Sequence, residues 1–283
     1  MADTQNAIYA QAYSANIMQL AQQKYSKLMG TVYIKPNVQG KTFFQDQIGE
    51  WSMSTKGGRN VATPNNDPAL DRRMGTMVAY HDNRLLDRGD ELKSISDPRS
   101  AYTIAAAGSL GRKIDVVILD AMGGTAKSGE TGSTSVTNGN VELVTKGAVL
   151  LADITTMNKT LDDADVEKDD RYIAVTPEII QSMLGLEQAT SSDYASIKAL
   201  VRGDMDTWMG FKWIGSTQIT SGATTSVGYA YHKYGLCAAF SAAPLVRTDE
   251  RPDLSYSWQV YYELDIGAVR LEEDRVIRIV SST

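Results

Sequence analysis

The chain has little of what catalytic and metal centres are usually made from. Cys237 is the only cysteine, so no intrachain disulfide can close and one chain cannot build a thiolate metal cluster. There are two histidines, His81 and His232, well separated in sequence. Positive charge is short as well: 28 Lys+Arg stand against 34 Asp+Glu, a formal net charge of −6. That balance argues against a dedicated nucleic-acid binder, which normally carries a basic patch or stripe. No apolar run approaches the roughly 20 residues a membrane-spanning helix needs. The opening "MADTQNAIYAQ" lacks the basic and apolar regions of a secretory signal. A soluble protein made in the cytoplasm is the expectation.

The loops that come nearest to known chemistry each miss an essential residue. "GTAKSGET" (124–131) has the glycine spacing of a phosphate-binding loop, but Glu130 stands where the motif needs lysine. A carboxylate there repels the phosphates that a lysine contacts, and the "GSTSVTNG" that follows starts no helix. The loop 123–139 is read as solvated. In the acidic run 162–170, Asp163, Asp165 and Glu167 alternate like calcium ligands. Lys168 replaces the required glycine, however, and Ala174 sits where the bidentate acid belongs. No "GxSxG" nucleophile elbow is present, and Cys237 lies in an apolar run where a thiol is inert. The triplets "RGD" at 88–90 and 202–204 are coincidental in a chain without an export signal. No catalytic residue, cofactor or metal is expected.

What the chain does have is pattern. At 283 residues it can bury a substantial core. Residues 6–29 place Ile8, Ala12, Ile17, Leu20, Ala21 and Leu28 near one helical stripe. Residues 31–90 hold short β-like pieces around a polar, turn-rich centre, "STKGGRNVATPNNDP", and have few core formers. They predict a long two-stranded excursion with a flexible tip, which is marginal in water unless it lies on something outside the subunit. A helix is expected over 98–122, with Asp97 as cap, Pro98 at its start and Ala107, Leu110, Ile114, Val117, Ile118 and Ala121 inward; Arg112, Lys113, Asp115 and Asp120 point elsewhere. A second helix is expected at about 142–160, another within "SDYASIKALVRG", and a strand in "WMGFKWIGSTQI".

In "RYIAVTPEIIQSML" (171–184) a strand turns directly into a helix. Thr176 is placed to cap it, Pro177 needs no donor, and Glu178 suits the positive end of the helix dipole. "YSWQVYYELDI" alternates strictly, with Tyr256, Trp258, Val260, Tyr262, Leu264 and Ile266 on one face, as a half-buried antiparallel strand does. Glu263 and Asp265 on its other face argue against a base-stacking platform. "VIRIV" supplies a last strand.

Three stretches in this order carry a resemblance. They are the strand-Pro-Glu-helix at 171–184, Gly210-Phe211 before an apolar strand, and the closing "YYELDIGAVRLEEDRVIRI". The chain resembles the major capsid proteins of tailed bacteriophages, over nearly its whole length. The resemblance implies the α+β Hong Kong 97-type fold. Residues 1–30 correspond to an N-terminal arm and 31–90 to an extended β-loop that overlaps an adjacent subunit. Residues 91–140 with 251–283 correspond to a peripheral domain with a spine helix, and 141–250 to an axial domain. The function implied is a non-enzymatic subunit that self-assembles as pentamers and hexamers into an icosahedral head around double-stranded DNA. Expected partners are copies of itself, a separate scaffolding protein, a portal at one vertex, and DNA held by weak non-specific contact; no membrane is involved. The expected location is the virion capsid, with assembly in the host cytoplasm. Lys41 and Lys56 lie in the region of the family's cross-linking lysine, but nothing near them resembles a dedicated site.

From composition and likeness, inter-subunit contacts are expected from Tyr9, Tyr13 and Ile17 in the arm and from Trp51, Lys56, Arg59, Arg72 and Arg73 in the loop. Two rivals remain at this point, a shell protein that encloses a protein cargo and an enzyme of unknown class.

Overall fold

The computed structural model describes residues 22–86, 99–139, 141–144, 151–184, 207–219 and 225–282. Along the chain the elements are β1 (Tyr33–Lys35), β2 (Thr42–Ile48), β3 (Leu70–Thr76), β4 (Val78–Leu86), α1 (Arg99–Gly123), β5 (Ala126–Ser128) and β6 (Thr134–Val136). Then come β7 (Val141–Val144), α2 (Leu151–Asp163), β8 (Arg171–Val175), α3 (Pro177–Leu184), β9 (Thr207–Trp208) and β10 (Phe211–Gly215). The last are β11 (Thr225–His232), β12 (Leu236–Phe240), β13 (Leu245–Arg251), β14 (Ser257–Arg270) and β15 (Val276–Ser282).

The described residues fall into two compact units, one within 1–26, 80–112 and 244–264 and the other within 27–79, 113–243 and 265–283. The larger unit is built on a sheet of order β7-β15-β11-β8-β10-β9. At its centre β8 runs parallel to β10 and antiparallel to β11. All five residues of β8 are buried, as its unbroken apolar run requires. Ile173 and Val175 point to one face, where Ile154, Met157 and Leu161 of α2 join Ile179 and Phe211. Tyr172 points to the other face and stacks on Tyr231, ring centres 5.8 Å apart. The end of α1 also meets Tyr229 of this sheet: a Cβ on Gly123 would stand 2.5 Å from the tyrosine hydroxyl, so a larger residue there has to displace that side chain.

A second cluster of the larger unit gathers Val38, Phe43, Met77, Ala126, Cys237, Ala239, Val269 and Leu271. Burial pushes the Cys237 thiol up to about 11, so it stays protonated and unreactive. In the smaller unit, β13 pairs antiparallel with residues 257–263 of β14, and the Tyr262 hydroxyl donates to Asp82 at 2.9 Å.

Several expectations are met. α1 spans 99–123, the strand-to-helix switch falls at 175–177, and Val260, Leu264 and Ile266 of β14 are buried. Others are corrected. Asp115, expected to face outward, is fully buried. Its carboxylate accepts the backbone N–H of Lys27 at 3.1 Å and of Leu28 at 3.1 Å. It thereby satisfies two amides of a segment that makes no α-helix between residues 22 and 28, where helix was expected; the remainder of that expected helix lies outside the described residues. The helix expected from 142 begins at 151, because 141–144 pair with β15 instead. The loop 123–139 contains a hairpin, β5–β6, paired to β3. "WMGFKWIG" is also a hairpin, its turn made by Met209 and Gly210, both with positive φ. The Thr176 hydroxyl makes no cap; it is buried without a hydrogen-bond partner. Tyr256 lies outside β14 and is exposed. The helix expected in "SDYASIKALVRG" lies outside the described residues. β15 pairs antiparallel with β11 and parallel with β7, and so belongs by hydrogen bonding to the sheet that holds β8.

Candidate assembly surface

The excursion expected at 31–90 contains an antiparallel pair, β2 with β3, in register from Thr42↔Thr76 to Ile48↔Leu70. Phe43 and Gly75 explain its anchored end. Gly75 lies directly under the Phe43 ring, where any Cβ would collide. Phe43 in turn enters the second core cluster. The pair is tied down further by Lys35, whose Nζ donates to Phe44 O at 2.7 Å, and by Gln47, whose Nε2 donates to Leu271 O at 3.0 Å.

Beyond Ile48 and Leu70 this anchoring ends. Residues 49–67 are exposed throughout. Large apolar side chains stand in water at both ends of the segment and within it: Ile48 is 73% exposed, Trp51 71%, Met53 99% and Leu70 77%. Burying such a side chain stabilises by roughly 1.5–3 kcal/mol, a gain this segment leaves unrealised within its own subunit. The internal hydrogen bonding of the tip includes Asn66 Nδ2 donating to Ser52 O at 3.0 Å.

The expected contact residues separate by position. Trp51, Lys56 and Arg59 are on the exposed tip. Arg72 is half-buried on the hairpin, its Nε donating to Asp46 at 2.5 Å and its guanidinium lying 5.3 Å from the Phe44 ring centre. Arg73 faces inward. Its Nε donates to Leu271 O at 2.9 Å and its Nη2 pairs with Glu273 at 2.8 Å. Neighbouring residues of a strand point to opposite faces, so of two adjacent arginines one had to turn in. That alternation was the available signal. Tyr9, Tyr13 and Ile17 lie outside the described residues.

Buried charges escaped sequence reasoning, two of them fully buried. One is Asp115. The other is Arg270, fully buried, which donates to Met122 O at 3.0 Å, Gly124 O at 2.8 Å and Val136 O at 3.1 Å. Two of these carbonyls lie at the end of α1, where a helix leaves them without partners, and the third ends β6. Among the described residues no group of three or more His, Cys, Asp or Glu side chains could hold a metal ion. Their helices include none long and apolar enough to cross a membrane.

The hairpin is anchored at one end and carries an uncovered apolar tip at the other. Comparison with known proteins supplies the family. The sequence model of the phage capsid protein family matches residues 5–282, and the chain belongs to that family. Solved capsids share its fold at low identity. The capsid of cyanophage P-SCSP1u superposes with a TM-score of 0.78 at 13% identity, over 98% of this chain and 94% of that one. The capsid of Helicobacter pylori bacteriophage KHP30 gives 0.74 at 10%, over 99% and 97%. That of Ralstonia phage GP4 gives 0.73 at 9%, over 100% and 98%. No curated protein matches the sequence at a significant level. The fold is the Hong Kong 97-type, and the protein is a structural, major capsid protein that self-assembles into a shell as part of the virion. Neither the cargo-compartment nor the enzyme reading is favoured.

Proposed function

We propose that the subunit builds an icosahedral head from pentamers and hexamers around double-stranded DNA, assembling in the host cytoplasm with a separate scaffolding protein and a portal at one vertex, and without catalytic activity of its own. In this reading residues 1–30 form the arm and 31–90 the extended loop laid across a neighbour. Residues 91–140 with 251–283 form the peripheral part, and 141–250 the axial part that meets at capsomer centres. Tyr9, Tyr13, Ile17, Trp51, Lys56, Arg59 and Arg72 supply contacts between subunits. Arg73 supports them from inside by fixing the hairpin to the 271–273 turn.

The exposed tip carries this reading. A segment with Trp51 and Met53 in water gains stability only from another molecule, so ordering and assembly are coupled. The acidic balance of the chain fits a wall that encloses DNA without gripping it. Deleting residues 54–66 is expected to leave a soluble, folded subunit that forms no shells by electron microscopy. Shells of wild-type size and yield from that deletion would overturn the reading.

A further inference from the structure

Where β2 and β3 stop pairing, an open groove of about 500 Å³ lies between the strands and the turn after β5. Ile48 and Leu70 give it an apolar lip, and Asp46, Asp71, Arg72 and Glu130 line it. Three carboxylates against one guanidinium leave a net charge of −2. Two of the carboxylates are already committed. Asp46 pairs with Arg72, and Asp71 accepts from Ser128 Oγ at 2.8 Å and from the Arg72 amide at 2.8 Å. Those hydrogen bonds hold the Asp71 carboxyl below its ordinary range, so its charge persists. Glu130 is exposed and, among the described residues, in no ion pair.

The complementary surface is on the same chain. Residues 51–66 contain Lys56 and Arg59 and no acid, a net charge of +2, together with the apolar Trp51, Met53 and Val61. Among the described residues neither cation has a partner. The subunit does not fill the groove with its own tip, since residues 49–67 are exposed throughout. Each copy therefore carries both halves of a head-to-tail contact, the type that closes into rings when the rotation between copies allows it.

We propose that the groove at Ile48, Leu70, Asp71 and Glu130 receives the 51–61 segment of a second copy, with Lys56 and Arg59 set against Glu130 and Asp71. The proposal rests on the shell reading above and names the receiving surface for the loop. Apolar contact supplies most of the affinity, and the charges set register and partner choice. Seating one cation leaves the Asp46–Arg72 pair intact, so the groove needs no rearrangement to accept it.

The test uses full-length chains. Reversing one tip charge (Lys56→Glu) or the groove charge opposite it (Glu130→Lys) is expected to lower shell yield at least about tenfold at physiological salt, and combining the two to restore it to within about threefold. These positions are exposed, and the melting temperature of the unassembled subunit checks that the fold is kept. Reversals that assemble normally, or folded reversals that the combination fails to rescue, overturn the proposal. A second measurement does not depend on charge energetics. Chains with Lys56→Cys are co-assembled with chains carrying Glu130→Cys and oxidised. A disulfide-linked dimer on a non-reducing gel is expected. Assembled shells without that band overturn the proposal, as does a chain with both cysteines that links only to itself. If the 54–66 deletion abolishes shells and the cysteines fail to join, the groove is excluded while the function stands. Shells from the deletion remove both.

Discussion

Strand β8 and the β2–β3 hairpin follow opposite strategies within one chain. β8 lies between β10 and β11 with all five residues buried, and helices α2 and α3 cover its Ile173 and Val175 face. The hairpin buries Phe43 at one end and leaves Ile48, Trp51 and Met53 uncovered at the other. The first region is complete inside the subunit. The second is anchored there and leaves its tip uncovered. A perturbation of β8 and its sheet should therefore act on subunit stability, and a perturbation of the tip should act on assembly. Changing both readouts equally at either place would break the comparison.

The largest effect on the subunit is expected at Phe211, the fully buried side chain that opens β10 beside β8. Phe211→Ala removes a ring from the closed cluster around Ile173 and Ile179, at a cost of about 3–5 kcal/mol in denaturant unfolding of the unassembled chain. A smaller effect places the boundary of the sheet. His232 ends β11, buried, with Nδ1 accepting from the Tyr234 amide at 3.3 Å and Arg275 Nη1 3.4 Å away. Burial lowers its pKa below the ordinary value, outweighing the attraction of Glu167. The unfolded chain therefore takes up the proton first, and stability is lost as the pH falls from about 6.5 towards the folded value. Carboxylates such as Asp162 and Asp170, whose pKa values are lowered chiefly by hydrogen bonds from Arg171 and Lys212, act at lower pH, below about 3.8. Unfolding free energy measured from pH 7.5 to 5 should slope in wild type and flatten in His232→Gln. Equal slopes would show that the imidazole is not held neutral by the fold.

The sequence made the finished region easier to read than the unfinished one. An unbroken apolar run such as "RYIAV" has one cheap solution, a strand covered on both faces, and strict alternation in β14 has another. The errors fall where a distant partner decides. "VELV" reads as the start of a helix until β15, more than 130 residues later, offers it a parallel edge. The 126–136 hairpin looks like a loop until β3 pairs with it. Asp115 and Arg270 look like surface charges because charge is usually solvated. Each instead satisfies backbone groups of a segment remote in sequence, and no local pattern encodes that. The exposure of Trp51, Lys56 and Arg59 was legible from a turn-rich stretch poor in core formers. The groove was not, because it joins residues 46–48, 70–72 and 129–130.

The smallest effect on the subunit, and the sharpest separation of the two regions, is expected at Trp51. Its ring is 71% exposed, so truncating it to alanine removes few contacts that the folded chain makes for itself. Unfolding of the unassembled Trp51→Ala chain should fall within about 0.5 kcal/mol of wild type, the range of surface substitutions. In the proposed contact the same ring is desolvated against a neighbour, where truncating a large aromatic side chain commonly costs more than 1–2 kcal/mol. That loss is repeated in every copy, so the concentration at which shells form should rise by tenfold or more, as light scattering and electron microscopy would register. If Trp51→Ala instead melts the subunit and leaves assembly unchanged, the tip is part of the subunit's own core. The contrast between the hairpin and β8 would then disappear.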